Sequence, residues 1–146
     1  MSLKVIGDKY ATNKYKREYK THHCYFDMKR KRVRFSPMAA KMIGIKRDHY
    51  VFFFKDGDSV YIKASNVKTI TIYGSNHFGI QVVCNSIHGT PYHYIKMHSE
   101  GMEQLFDCLS EEQTTKMYVE AAPIRLSAGH RELTDCYKIR PLLEGE

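Results

Sequence analysis

The chain has 146 residues, of which 42% are hydrophobic and 12% aromatic, and a formal net charge of +7. This length can bury a core in one domain, and the content of apolar and aromatic side chains excludes a disordered chain. No run of about 18 apolar residues and no apolar segment of a secretory signal occurs, which predicts a cytoplasmic protein without a membrane-spanning helix.

Positive charge is concentrated in the first third of the chain. Residues 1–50 carry 14 basic and four acidic side chains, a net charge of +10, whereas residues 51–146 carry nine basic and twelve acidic ones, a net charge of −3. Such asymmetry favours a polyanion or an acidic protein surface as the partner. We interpret residues 1–24, rich in Tyr, Lys and Arg, as a basic arm or short helix, and residues 25–146 as a single domain.

The densest group of cations lies in "DMKRKRVRFSP", residues 27–37. Arg32 and Arg34 alternate with Val33 and Phe35, so a strand here places the two Arg side chains on one face and the apolar pair on the other. The basic face then either binds phosphate or is exposed to water. In the second case, its Lys and Arg side chains serve to block pairing at the sheet edge. The candidate nucleic-acid contacts are Lys29, Arg30, Lys31, Arg32 and Arg34, with Tyr15, Tyr19 and Tyr25 for stacking on unpaired bases.

A short helix and a series of strands are predicted next. Ser36 fits a helix N-cap, Pro37 fits the first helical position, and Gly44 fits the residue that ends the helix. Residues 50–97 then alternate between β-rich runs and turns, and the Asp-Gly turn at 56–58 is typical of a hairpin. This stretch therefore predicts a meander of about five strands.

The last third of the chain predicts one helix and two strands. An apolar stripe at helical spacing runs through residues 99–109, formed by Met102, Leu105, Phe106 and Leu109. Residues 116–121 and 135–139 are predicted strands, with a loop between them. The fold class is therefore predicted to be α+β, with a mostly antiparallel twisted sheet of about six to eight strands and two short helices.

Catalytic and metal-binding patterns are weak. Three His side chains recur at intervals of five, which places neighbours on opposite faces of a strand, and no zinc-type spacing supports them; they are His88, His93 and His98. The four Cys are far apart and are predicted to be reduced thiols, with Cys84 and Cys108 in the core. No phosphate-binding glycine loop or nucleophile elbow occurs. We therefore expect no enzyme, no metal and no cofactor.

Residues 32–63 combine a strand, a helix that starts at Pro37, an Ile-Gly-Ile stop at 43–45 and a strand hairpin. This pattern resembles the AbrB-type swapped-hairpin family of bacterial DNA-binding proteins, and it covers 32 of the 146 residues. The resemblance implies a homodimer with interleaved hairpins, and basic side chains near the first strand and helix that grip DNA. The contacts it implies are Arg32, Arg34 and Lys41, with Lys29, Arg30 and Lys31 beside them.

These observations predict a small nucleic-acid-binding protein, with DNA favoured over RNA, that acts as a regulator or accessory factor of a bacterium or a phage. The alternative is a structural or protein-interaction module without catalytic activity, whose basic arm docks on an acidic partner protein. Both interpretations stay open at this point, because a cluster of charge indicates a surface and does not identify what touches it.

Overall fold

The computed structural model describes residues 4 and 21–146, which form eleven strands and two short helices. The first five strands are β1 (His23–Asp27), β2 (Arg32–Phe35), β3 (Tyr50–Asp56), β4 (Ser59–Ser65) and β5 (Thr69–Ile72). The others are β6 (Ser75–Phe78), β7 (Ile80–Ile87), β8 (Thr90–Lys96), β9 (Thr115–Val119), β10 (Ile124–Ala128) and β11 (Arg131–Pro141). The helices are α1 (Pro37–Ile43) and α2 (Ser99–Leu105).

Eight of these strands close into an antiparallel barrel. Their order is β11-β4-β3-β7-β8-β2-β1-β9, and β9 pairs again with β11. Closure is possible because β11 pairs with β4 through residues 137–139 and with β9 through residues 139–141. The expected α+β fold with an open twisted sheet is therefore wrong, since the protein is mostly β and its sheet is closed. A closed sheet satisfies the backbone groups that two open edges would expose.

Two strands lie where the sequence pattern indicates none. β1 contains residues that we assigned in part to the basic arm, and β10 occupies a stretch without a predicted element. Residues 77–84, which read as one β-rich run of the expected meander, belong instead to two strands, β6 and β7, which are separated at Gly79. β6 has only exposed residues and pairs with β5 in a separate two-stranded sheet, so burial does not reveal it.

The barrel interior is filled by side chains from its strands. Val33 and Phe35 are fully buried while Arg32 and Arg34 lie on the outer face, which confirms the alternation predicted for β2. The largest fully buried side chains are Phe26, Phe35, Ile62, Ile95, Met102, Met117 and Ile139. Burial of a side chain of this size contributes about 1.5–3 kcal/mol to the free energy of unfolding.

Helix α1 begins and ends at the predicted residues. The Ser36 hydroxyl accepts the N–H of Ala39 at 3.3 Å, Pro37 occupies the first helical position, and Gly44 ends the helix with φ +88°. The same hydroxyl accepts the N–H of His23 at 3.1 Å and donates to the carbonyl of Thr21. One buried side chain therefore joins the start of α1 to the segment that leads into β1.

Helix α2 is shorter than its apolar stripe predicts. It begins after His98, which forms no side-chain cap, and it ends at Leu105 because Phe106 is extended. Met102, Leu105 and Phe106 are buried, whereas Cys108 is exposed, so its prediction as a core thiol is wrong. Since α1 follows β2 and α2 follows the antiparallel β8, the two helices lie at opposite ends of the barrel.

A second apolar cluster lies outside the barrel, between the β5–β6 hairpin and the outer face of the sheet. It contains Phe52, Ile70, Leu133 and Cys136, all of them buried. Gly79 lies where the chain passes from β6 to β7, and its N–H donates to the carbonyl of Lys68 at 2.8 Å. A Cβ at Gly79 would lie 2.8 Å from both the Phe52 ring and the Cβ of Tyr50, so this close approach requires glycine.

The segment that resembles AbrB-type proteins has its expected local order of strand, helix and hairpin. Its hairpin, β3 and β4, pairs with β7 and β11 of the same chain. The resemblance and the homodimer that it implies stay predictions.

Across the described residues, neither helix has the length and apolar character that crossing a bilayer requires.

The hydroxyl of Ser36 is the first feature of the fold that mutation can test. We expect Ser36→Ala to lower the free energy of unfolding by about 1–3 kcal/mol, because two buried N–H groups lose their acceptor. Urea titration followed by circular dichroism measures the change. Ser99→Ala is the matched control, since Ser99 begins α2 without a side-chain hydrogen bond among the described residues. Equal effects of the two substitutions would contradict this role for Ser36.

The close approach at Gly79 generates a second prediction. Gly79→Ala should lower the free energy of unfolding by about 1–3 kcal/mol, because the new methyl meets the Phe52 ring and the Tyr50 Cβ. Gly101→Ala is the control: its nearest neighbour is the end of the flexible Met97 side chain, and alanine favours the helix. Thermal unfolding of both variants should show a lower midpoint for the Gly79 variant alone.

Candidate nucleic-acid interface

A basic groove opens where the β1–β2 turn meets the end of β8. Its volume is about 390 Å³. It is lined by Arg30, Lys31, Arg32, Tyr94, Lys96, Met97 and His98. Three of the predicted cations therefore share one concave surface with Lys96, a cation that the sequence analysis did not select. No carboxylate lines the groove among the described residues.

The β1–β2 turn builds one wall of this groove. Asp27, the last residue of β1, accepts the N–H of Arg30 at 3.0 Å through Oδ1, which closes the turn in the way that Asp commonly does. Its other oxygen lies 3.8 Å from the Arg30 guanidinium, so Arg30 is partly neutralised. Lys31 adopts φ +55°, and its carbonyl accepts the N–H of Met97 at 3.0 Å, which joins the turn to the end of β8.

Two like charges lie side by side on neighbouring strands of the groove. Arg32 of β2 and Lys96 of β8 are direct register partners, an arrangement that destabilises a sheet. Within residues 21–146, neither of them nor Lys31 forms an ion pair with a carboxylate. The Arg32 guanidinium lies 5.8 Å from the centre of the Tyr94 ring, which orients it along the outer face of the barrel. Uncompensated repulsion of this kind is typical of a functional site, where a bound anion removes it.

The remaining predicted cations differ in their surroundings. Arg34 lies outside the groove on the same face, with its guanidinium 4.2 Å from the centre of the Tyr25 ring. Lys29 is exposed in the β1–β2 turn but does not line the groove. Tyr15 and Tyr19 lie outside the described residues, so their predicted role in stacking stays a prediction. The structure thus brings residues 30–32 together in the groove, whereas the Arg34 guanidinium lies over the Tyr25 ring.

An aromatic pair beside the groove was not among the predicted contacts. The rings of Tyr92 and Tyr94 stack, with centres 5.5 Å apart and planes inclined by 23°. The Tyr94 hydroxyl lies 3.4 Å from Nδ2 of Asn85, which donates to it from β7. Tyr92, Tyr94 and Lys96 alternate along β8, and this alternation is visible in the sequence. The proximity of these rings to Arg32 cannot be read from the sequence, because it is produced only by the pairing of β8 with β2.

Lys41 lies far from the groove, at the other end of the barrel. It is exposed on α1, which follows the end of β2, whereas the groove lies at the start of β2. A second hollow of about 350 Å³, the α1 pocket, lies there. Its lining is Pro37, Ala40, Lys41, Gly44, Ile45, Lys46, Arg47, Pro91 and His93. Sequence reasoning missed Lys46 and Arg47, although they follow the helix stop directly.

Arg140 is a cation outside the groove that already has carboxylate partners. Arg140 of β11 lies 4.4 Å from the centre of the Tyr118 ring, and its guanidinium contacts two carboxylates. It pairs with Glu146 at 2.7 Å and with Glu120 at 3.0 Å, and these hydrogen bonds raise the pKa of Arg140 above its ordinary value. A cation already held by two carboxylates has little to offer a phosphate, so the groove is the better anion site.

A larger cleft of about 930 Å³ lies on another side of the molecule, next to the β5–β6 hairpin. Its walls are largely aromatic and aliphatic, and they include Phe52, Phe54, Ile72 and the exposed side chains of Tyr73 and Phe78. None of the predicted nucleic-acid contacts lines this cleft.

Groups that could support catalysis or metal binding do not converge in the described part of the chain. No cluster of three or more His, Cys, Asp or Glu side chains occurs there. Burial raises the pKa of Cys24 and of Cys136, which keeps both as thiols. Cys84 and His93 are register partners, but the Cys84 thiol lies 3.9 Å from the carbonyl of Asn85 and does not bond to the imidazole.

His23 and Ser36 are the two buried polar residues of the described part of the chain. His23 is 5% exposed, it lies edge-on to Tyr118 with ring centres 5.8 Å apart, and neither ring nitrogen has a hydrogen-bond partner among the described residues. Burial lowers the pKa of His23, and the positive charge of Lys116 lowers it further. The neutral imidazole is therefore the form that the folded chain holds.

This shift predicts how stability depends on pH. Because the pKa is lowered in the folded chain, the unfolded chain takes up the proton at a higher pH than the folded chain does. The free energy of unfolding is therefore highest above the ordinary His pKa of about 6.5 and falls as the pH drops below it. We expect His23→Phe to reduce that fall, measured by urea titration at pH of about 7.5 and about 5.5. Burial also lowers the pKa of His93, which accounts for part of the pH dependence that remains in this variant. Identical pH profiles for the variant and the parent would contradict this role for His23.

Comparisons with protein-family models, with curated proteins and with solved structures found no match for this chain.

Proposed function

We propose that this chain is a cytoplasmic nucleic-acid-binding protein, with DNA as the favoured ligand, that holds phosphates in the basic groove. The observation that carries the proposal is the concave cluster of Lys31, Arg32 and Lys96, three cations without a carboxylate partner among the described residues. A bound phosphate backbone relieves their mutual repulsion and releases counterions, which makes such a site favourable for a polyanion. No catalytic step is part of the proposal.

The resemblance of residues 32–63 to AbrB-type proteins adds support for DNA, for a homodimer and for a role as a bacterial or phage regulator or accessory factor. It names Arg32 as a contact, and Arg32 lines the groove. It also names Arg34 and Lys41, which lie outside the groove, so the face used by this chain would differ in detail from the one that the resemblance implies.

The rival function is that of a protein-interaction module, in which an acidic partner docks on the same cations. Its carboxylates would satisfy Arg32 and Lys96 as well as phosphates do. A pull-down after nuclease treatment separates the two functions: capture of an acidic protein together with failure to bind any oligonucleotide supports the rival.

Fluorescence anisotropy with labelled duplex and single-stranded oligonucleotides tests the proposal. Three phosphate contacts predict a salt slope of about −2.7, so affinity should fall roughly fortyfold between about 50 mM and about 200 mM salt. Arg32→Gln combined with Lys96→Gln should weaken binding to every sequence and reduce the magnitude of the slope by about 2.

The matched control removes the same charge elsewhere. Lys68→Gln combined with Arg125→Gln changes two exposed cations beside the β5–β6 hairpin and on β10, away from β2 and β8. This variant should bind with nearly the parent affinity. Absence of binding at low salt, binding that ignores salt, or equal losses in both double variants would overturn the proposal.

A further inference from the structure

The outer face of β8 carries a row of side chains that leads away from the basic groove. Tyr92, Tyr94 and Lys96 lie in a row because alternate residues of a strand share a face. Lys96 lines the basic groove, whereas Pro91 and His93, which line the α1 pocket, alternate with these residues and lie on the other face of the strand. The distance from Tyr92 to Lys96 is about 13 Å at about 3.3 Å per residue. We call this row, with the basic groove at its Lys96 end, the β8 track.

The middle of the β8 track is an aromatic stack with one open end. The Arg32 guanidinium lies 5.8 Å from the centre of the Tyr94 ring, and Tyr94 stacks on Tyr92 at 5.5 Å. Within residues 21–146, no further ring or cation stacks on Tyr92. Tyr92 therefore ends the stack on the side away from the basic groove, and an additional planar group placed there continues it.

Cations lie at the groove end of this stack, where Lys31, Arg32 and Lys96 line the groove. A chain of alternating charge and planar groups therefore fits the β8 track, with its anionic groups in the groove and a planar group on Tyr92. This is the chemistry of an unpaired polynucleotide, which binds through a basic path and aromatic stacking.

We propose that the ligand of the β8 track is a single-stranded nucleic acid, and this inference rests on the proposed function. A duplex offers the same phosphates, but its bases are covered by their neighbours and cannot stack on Tyr92. A single strand uses both the cations and the ring, so it binds more tightly than a duplex.

The test measures the affinities of labelled oligothymidine and of a duplex for three proteins: the parent, Tyr92→Leu and Tyr92→Phe. Leucine removes the ring and keeps an apolar side chain, whereas phenylalanine keeps the ring and is the matched control. Tyr92→Leu should bind oligothymidine about tenfold more weakly, with duplex binding unchanged, and Tyr92→Phe should match the parent. Circular dichroism and thermal unfolding confirm that each variant is folded.

Equal affinity for duplex and single strand, or unchanged oligothymidine binding by Tyr92→Leu, would overturn the inference and leave the proposed function intact. Failure of every oligonucleotide to bind the parent at low salt would instead overturn the proposed function.

Discussion

The filling of the barrel interior by side chains is the constraint on which the rest of this structure depends. Eight strands enclose a space that side chains can fill, and Phe26, Phe35, Ile95 and Met117 are among those that fill it here. Because alternate residues of each strand are used for this packing, their neighbours must point outward. The chemistry of the protein therefore lies on the outside of the barrel, and the register between strands decides which outward groups become neighbours.

That outer surface is electrically uneven in a way that the net charge of +7 does not reveal. On β11, Arg140 is neutralised by Glu120 and Glu146, and Glu146 has its pKa lowered to about 2 by this guanidinium. On β2 and β8, Arg32 and Lys96 face each other without such partners among the described residues. This contrast is the electrostatic basis of the proposed function, which assigns an external anion to the unpaired cations.

Local chemistry in the sequence predicts those parts of the fold that depend on neighbouring residues. Ser36, Pro37 and Gly44 delimit α1 because capping and the left-handed turn involve only the helix ends, and the Asp-Gly turn predicts the β3–β4 hairpin for the same reason. Closure of the barrel was not predictable in this way. It depends on Ile139 of β11 pairing with both Val60 and Val119, and no short pattern encodes that double pairing.

In the candidate site too, some features are predicted by local sequence and others depend on distant parts of the chain. The charge of 29–34 is visible in the sequence, and so is the alternation that turns Arg32 outward. The groove itself requires Lys96, which lies far along the chain and becomes a neighbour only through the β2–β8 register. The α1 pocket likewise combines Lys41 with Pro91. The structure therefore brings part of the predicted group of cations together, and their role as contacts stays a prediction. Their neighbours and the stacked rings of β8 depend on tertiary contacts.

The double pairing of β11 also has a consequence for synthesis of the protein. β11 follows the other ten described strands in the chain, so β4 and β9 each keep an unpaired edge until residues 137–141 have left the ribosome. Contacts between such distant parts of a chain form slowly, because a long loop must close before they repay its entropy. During translation the nascent barrel thus exposes two edges open to pairing with other chains, and molecular chaperones would have most to protect in that interval.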